Sequence, residues 1–191
     1  MHESAYAAAD FRDPTVRLAS ATAMVYRPVL LVTEVLWSTP MKSAVKHVRV
    51  IGPSDSAETL GRQRQRLIPC ITEETCGASG ISAGMVNMAP GAMSKAHYHA
   101  HSEIVVICLR GTAVTLIGPE LTPYFHGPGQ FIYIPEGVIH VAVNLDEAED
   151  LAAVEMRTDP LFNDDVVLTP EYDARVPDVV AELRRQHLIG S

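Results

Sequence analysis

The chain has 191 residues and a mass of 20.7 kDa, enough for one domain with a sizeable core. Its 47% hydrophobic and 20% charged residues are ordinary for a globular protein, and a formal charge of -8 argues against nucleic acid as a partner. Cys70, Cys76 and Cys108, an odd set without paired zinc spacing, read as free thiols. Neither a signal peptide nor a bilayer-length apolar run is evident, so no membrane association is expected and the expected location is cytoplasmic.

Residues 1–40 stand apart. Pro14 and Pro28 interrupt any helix there, and the segment is expected to be an N-terminal arm, either packed on a neighbouring subunit or poorly ordered. Met41 opens the run expected to begin a barrel domain over 41–160, with a first strand over 47–51 ended by Gly52 and Pro53. Arg62, Arg64 and Arg66 then alternate with Gln63 and Gln65, with no apolar face. They read as a solvated edge strand, or as a stretch from which one arginine reaches the barrel mouth to hold a carboxylate or phosphate. A strand over 81–88 follows, and Pro90 and Gly91 turn the chain.

Residues 91–111 organise the rest. His97, His99 and Glu103 share one parity, so in an extended strand they can point to one face, and two imidazoles with a carboxylate on one face suit a metal ion. His101 has the same parity but falls where the chain is expected to turn, which favours a supporting or surface role. Residues 104–109 read as a buried strand, 112–118 as the next, and 119–128 as a loop. In 129–144, Pro135 and Gly137 turn the chain between two apolar runs, and His140 follows. If the two hairpins lie in one barrel, His140 joins the first set.

Strands over 131–134, 138–144 and 151–156 bring the count to about eight, the number a small barrel or jelly roll needs. Residues 161–191 are expected to form a C-terminal extension: a turn-rich start, then a helix opened by Pro177, with Val179, Val180 and Leu183 at helical spacing.

The first stretch resembles cupin motif 1 on Gly91, His97, His99, Glu103 and Gly111, and the second resembles motif 2 on Gly129, Pro135, Gly137, His140 and Asn144. One departure is visible: seven residues separate Glu103 from Gly111 where the motif has six, and a bulge is expected there. The resemblance covers the middle third of the chain. It implies an all-β fold, a small antiparallel β-barrel or double-stranded β-helix of the jelly-roll kind with a short C-terminal helix. It further implies one metal held by His97, His99, Glu103 and His140.

Such a ligand set suits one divalent transition metal ion, with Fe(II) favoured and Mn, Ni, Cu, Co or Zn as alternatives. Open coordination positions would then receive a small-molecule substrate, water or dioxygen. Dioxygenase-type chemistry leads among the expected functions; metal-assisted isomerase, lyase or cyclase chemistry and non-catalytic binding of a small molecule are the alternatives. Lys95, His101 and Asn144 are the candidate catalytic residues, Asn144 alternatively holding a turn. His126 reads as a solvated loop residue, or as an acid or base beside the barrel mouth. A homodimer is expected from the exposed barrel edges.

Overall fold

The structure is a computed structural model that describes residues 48–190, with side chains through Gln186. All of these fall in one compact unit, Lys46–Ser191. The expected arm over residues 1–40 lies outside the described residues.

Among the described residues eleven strands occur in chain order: β1 (Thr59–Leu60), β2 (Arg66–Ile71), β3 (Ser82–Met88), β4 (His97–His99), β5 (Ile104–Arg110), β6 (Ala113–Ile117), β7 (Thr122–His126), β8 (Phe131–Ile134), β9 (His140–Asn144), β10 (Leu151–Arg157) and β11 (Val166–Leu168). Three helices accompany them: α1 (Glu73–Cys76), α2 (Pro170–Asp173) and α3 (Val176–Gly190). The strands form two antiparallel sheets, β1-β2-β3-β10-β5-β8 and β11-β4-β9-β6-β7. This is the expected jelly roll with its C-terminal helix, built as two open sheets rather than a closed barrel.

The sequence patterns explain the layers. Strand β3 alternates buried and half-buried residues, as a strand with one face in the core does. By contrast β6 is buried along nearly its whole length. Its Ala113 joins a core between the sheets with Val86, Met88, Leu151 and Ala153, while Val114 and Leu116 face the other way. That outer face, with Val141 and Val143 of β9, is covered by Val176, Val180 and Leu183 of α3. The three stand at i, i+4 and i+7, one stripe of a helix, and each such side chain contributes ~1.5–3 kcal/mol when fully buried. Arg184 fastens the helix to the sheet by donating to the carbonyls of Gly91, Asn144 and Leu145.

Several local expectations are corrected. Residues 48–52 have no regular structure, and a single 3₁₀ turn, Pro53–Asp55, follows them. Residues 119–128 are not all loop, because β7 pairs along β6 as the edge of its sheet, where Pro123 costs no ladder bond. The Arg62 to Arg66 stretch is a turn, with the Gly61 and Arg64 N–H groups donating to the carbonyls of Gln65 and Gly61, that leads into β2. All three arginines are exposed, and Gln63 and Gln65 are the buried members. The bulge expected before Gly111 is present: Arg110 and Cys108 face Ala152 and Ala153, so Leu109 is the extra residue. Within residues 161–191, β11 pairs with β4 as the other edge of the second sheet. The three cysteines are free. No helix among the described residues is long and apolar enough to cross a membrane.

Candidate metal centre

His97 and His99 lie two residues apart on the buried face of β4, and His140 opens β9 directly opposite His97. Cross-strand partners share a face, so the three rings meet. Ring centroids are 4.2 Å apart for His97 and His140, 5.4 Å for His97 and His99, and 5.5 Å for His99 and His140. One nitrogen from each ring lies within 4.8 Å of the other two, and all three side chains are buried.

The remaining nitrogens settle the tautomers. His97 Nδ1 is 2.8 Å from the Lys95 carbonyl oxygen, His140 Nδ1 is 2.9 Å from that of Val138, and His99 Nδ1 is 2.9 Å from Asp165 Oδ1. These oxygens only accept, so each Nδ1 carries a proton and donates it. In a neutral ring the lone pair then sits on Nε2. Burial keeps the rings neutral: it lowers His97 well below the usual value, aided by the charge of His140, and lowers His99 with help from Arg157. His140 is lowered to about 4, chiefly by burial. Three lone pairs with no donor between them are a poor arrangement unless a cation takes them. Indeed His99 Nε2 is buried without a hydrogen-bond partner among the described residues. The donor set therefore fits a first-row divalent ion, which Nε2 of His97, His99 and His140 could hold.

Asp165 orients His99. Besides the imidazole it accepts from Ser102 Oγ at 2.6 Å and from the His101 backbone N–H at 3.1 Å. Burial raises its carboxyl, but the hydrogen bonds from Ser102, His99 and His101 outweigh burial and hold it at about 2.

Glu103 does not join the three rings. Strand β4 ends at His99, the chain bends through residues 100–103, and parity counted along a continuous strand fails there. Glu103 is exposed and accepts from the Tyr133 hydroxyl at 2.5 Å, which raises the tyrosine. The next residue, Ile104, points inward instead and is 1% exposed. The carboxylate that does face the interior is Glu155 of β10, which alternation alone did not single out. It lines the cavity between the sheets together with His140 and Ile104. Arg157 Nε donates to Glu155 Oε1 at 2.5 Å, and its NH1 and NH2 groups donate to Asn163 Oδ1 at 3.2 Å. Both charged groups are almost wholly buried, at 5% and 1% exposure.

Of the candidate catalytic residues, none lines that cavity. Lys95 pairs with Asp173 at 3.0 Å, and His101 is exposed and acts through its backbone. Asn144 holds a turn, donating from Nδ2 to the carbonyls of Met88, Ala89 and Glu149. His126, expected to be solvated, is instead buried at the end of β7 and lines the cavity. The rest of the lining is mostly aliphatic, and the space open to the centres of water-sized molecules is about 40 Å³.

Comparisons with known proteins agree with this layout. The family model described as "Cupin" matches residues 72–181. No curated protein matches the chain in sequence. Among solved structures, a polyketide cyclase, RemF, from Streptomyces resistomycificus is similar at TM-score 0.56 and 17% identity, over 68% of this chain and 94% of that one. An oxalate oxidase is similar at TM-score 0.53 and 17% identity, over 80% and 87%. The oxalate decarboxylase of Lactobacillus farciminis, a formate complex, is similar at 0.53 and 21% identity, over 63% of this chain. Here the match spans only 36% of the decarboxylase's length. Likeness at these identities concerns the fold.

Proposed function

Because the chain belongs to the cupin family, we propose that it is a metal-dependent enzyme acting on a small organic molecule, its ion held by Nε2 of His97, His99 and His140. The observation that carries this reading is the convergence of three buried imidazoles whose Nδ1 protons are all committed elsewhere. When bound, the ion would supply a Lewis acid or a redox centre. The protein's own contributions follow from the side chains. Lys95, Val138 and Asp165 hold the tautomers, the aliphatic walls exclude water, and Glu155 offers a proton acceptor whose Oε1 is kept in place by Arg157.

Within that class, dioxygenase-type chemistry with Fe(II) is the leading reading, supported by a donor set of neutral nitrogens around a buried point. Glu155 favours a second one, metal-assisted isomerisation, elimination or cyclisation, since a buried carboxylate beside the site suits proton transfer. Oxygen uptake by the Fe(II)-loaded protein with small diketones, phenols and thiols separates them. Uptake with any of these supports the first, and turnover without uptake supports the second. Tight binding of these compounds without turnover of any is the mark of a non-catalytic binding protein.

Exposed Tyr124 and Phe125 on edge strand β7, and Phe131 and Tyr133 on edge strand β8, support a homodimer, which sedimentation velocity tests. Free Cys70, Cys76 and Cys108 support a reducing, cytoplasmic setting.

A further inference from the structure

The cavity has polar groups at both ends, and the reading proposed for the histidine end uses only one of them. His140 pairs with Ile117 of β6, whereas His126 of β7 and Asn144 of β9 both pair with Ala113. Those rows are four residues apart on β6, or ~14 Å at ~3.4 Å per residue. The Asn144 side chain donates to the Met88 carbonyl, which aligns the facing sheet with the far row. Gln65 belongs to the same end, because its neighbour Arg66 pairs with Asn87 beside Met88.

His126 is 7% exposed and lines the cavity. Its Nε2 is 3.0 Å from Thr115 Oγ1, and its Nδ1 is buried with no hydrogen-bond partner among the described residues. A buried nitrogen left without a partner costs free energy, which a ligand atom that reaches it would recover. Gln65, 5% exposed as a residue, lines the cavity from the other sheet.

We propose that His126, with Thr115 behind it and Gln65 across from it, is a recognition site for an uncharged oxygen on the tail of the substrate whose head lies at the histidine cluster. The proposal deepens the metal-enzyme reading and rests on it for the placing of the head. The Thr115 hydroxyl can donate to His126 Nε2 or accept from it, so Nδ1 presents either an N–H or a lone pair. A hydroxyl satisfies both forms and a carbonyl satisfies one. A charged tail does not fit: the other residues lining that end are Val86, Met88, Ala113 and Leu151, and an ion buried without a partner is strongly disfavoured. Burial keeps His126 itself on the neutral side.

The tail is short. The His126 ring reaches back toward Thr115, its Nε2 3.0 Å from Oγ1, and the Thr115 row lies ~7 Å from that of His140, so the span from the His140 row is between ~7 and ~14 Å. The space is small, about 40 Å³ for the centres of water-sized molecules. The substrate class is therefore a compact chain with an oxygen at each end, a metal-binding head and an uncharged hydroxyl or carbonyl tail.

The probes are butanoate with 4-hydroxybutanoate, and pentanoate with 5-hydroxypentanoate, titrated by calorimetry into Co(II)-loaded protein. Within each pair the heads are identical, so the ratio of dissociation constants reads the far hydroxyl alone. At least one hydroxy acid is expected to bind about tenfold more tightly than its parent, the effect of one good buried hydrogen bond. The preference should vanish in His126→Phe and Thr115→Val, while Co(II) affinity stays as in the wild type. A second titration adds pentan-1-ol to metal-free protein carrying nitrogen-labelled histidine, where the His126 ring resonances should shift and saturate. Equal binding within both pairs, or a preference surviving both substitutions, overturns the subsite. An unmoved His126 resonance overturns it whatever the metal does. Loss of Co(II) binding by the wild type, with the His126 shift retained, overturns the metal reading and leaves the subsite standing.

Discussion

Replacing Asp165 by Asn separates the orienting carboxylate from the ring it orients, and its effect follows from donor counting. The native carboxylate accepts from His99 Nδ1 at 2.9 Å, Ser102 Oγ at 2.6 Å and the His101 N–H at 3.1 Å. An amide has one acceptor oxygen and one NH2 group, so it cannot serve all three. With its oxygen toward His99, the NH2 faces the His101 N–H, donor against donor. Flipped, the NH2 faces His99 Nδ1 and drives the ring to its other tautomer, with the proton on Nε2, where the lone pair is needed. Loss of such an orienting partner costs ~10–100-fold in metal affinity, or ~1.4–2.7 kcal/mol. Competition titration of Co(II) against a chelating indicator measures it, and circular dichroism checks that the fold survives. An Asp165→Asn protein that folds and binds Co(II) as tightly as the wild type would refute the tautomer argument.

Three further outcomes are expected. His140 is held at about 4 in the fold against an ordinary value of 6.5, so below pH 6.5 the unfolded chain takes up a proton that the folded one refuses. The stability linked to this group is full above pH 6.5 and falls as acid is added, by about 3 kcal/mol at pH 4. Asp165, near 2, adds a loss in the same direction at lower pH. Urea unfolding of metal-free protein at pH 7 and pH 4 reads the first loss, which His140→Gln should diminish; equal wild-type stability at both would contradict it. Glu103→Gln should leave Co(II) affinity within about twofold, since Glu103 bonds Tyr133 and not the rings; a large fall would return Glu103 to the ligand set. Glu155→Gln should retain the metal yet lower turnover by ~10²–10⁴, the range for a general acid or base, with wild-type turnover as the contrary result.

The imidazole cluster was legible because its spacing encodes two geometric facts: residues two apart share a strand face, and the Pro135–Gly137 turn leads directly into β9. The bulge was legible too, since one residue too many before a turn glycine must be absorbed somewhere, and Leu109 absorbs it. Glu103 was misplaced because parity holds only while a strand continues, and β4 stops at His99. Residues 119–128, with prolines at both ends, gave no sign that β6 would recruit five of them as an edge strand and bury His126. Glu155 and Arg157 were beyond reach for another reason. Charged residues alternating in a strand read as its outer face, and only the partners, each other and Asn163, make their burial tolerable. Asp165 lay hidden in a turn-rich segment whose return to β4 is a long-range event.

The most direct test of the metal centre is elemental analysis of protein purified without chelators, wild type beside His97→Ala, His99→Ala and His140→Ala. One transition-metal ion per wild-type chain, and a sharp loss from each variant that still folds, is the predicted result. Wild-type protein that stays metal-free even after equilibration with Fe(II), Mn, Co, Ni, Cu and Zn, or folded variants that keep a full complement, would contradict it.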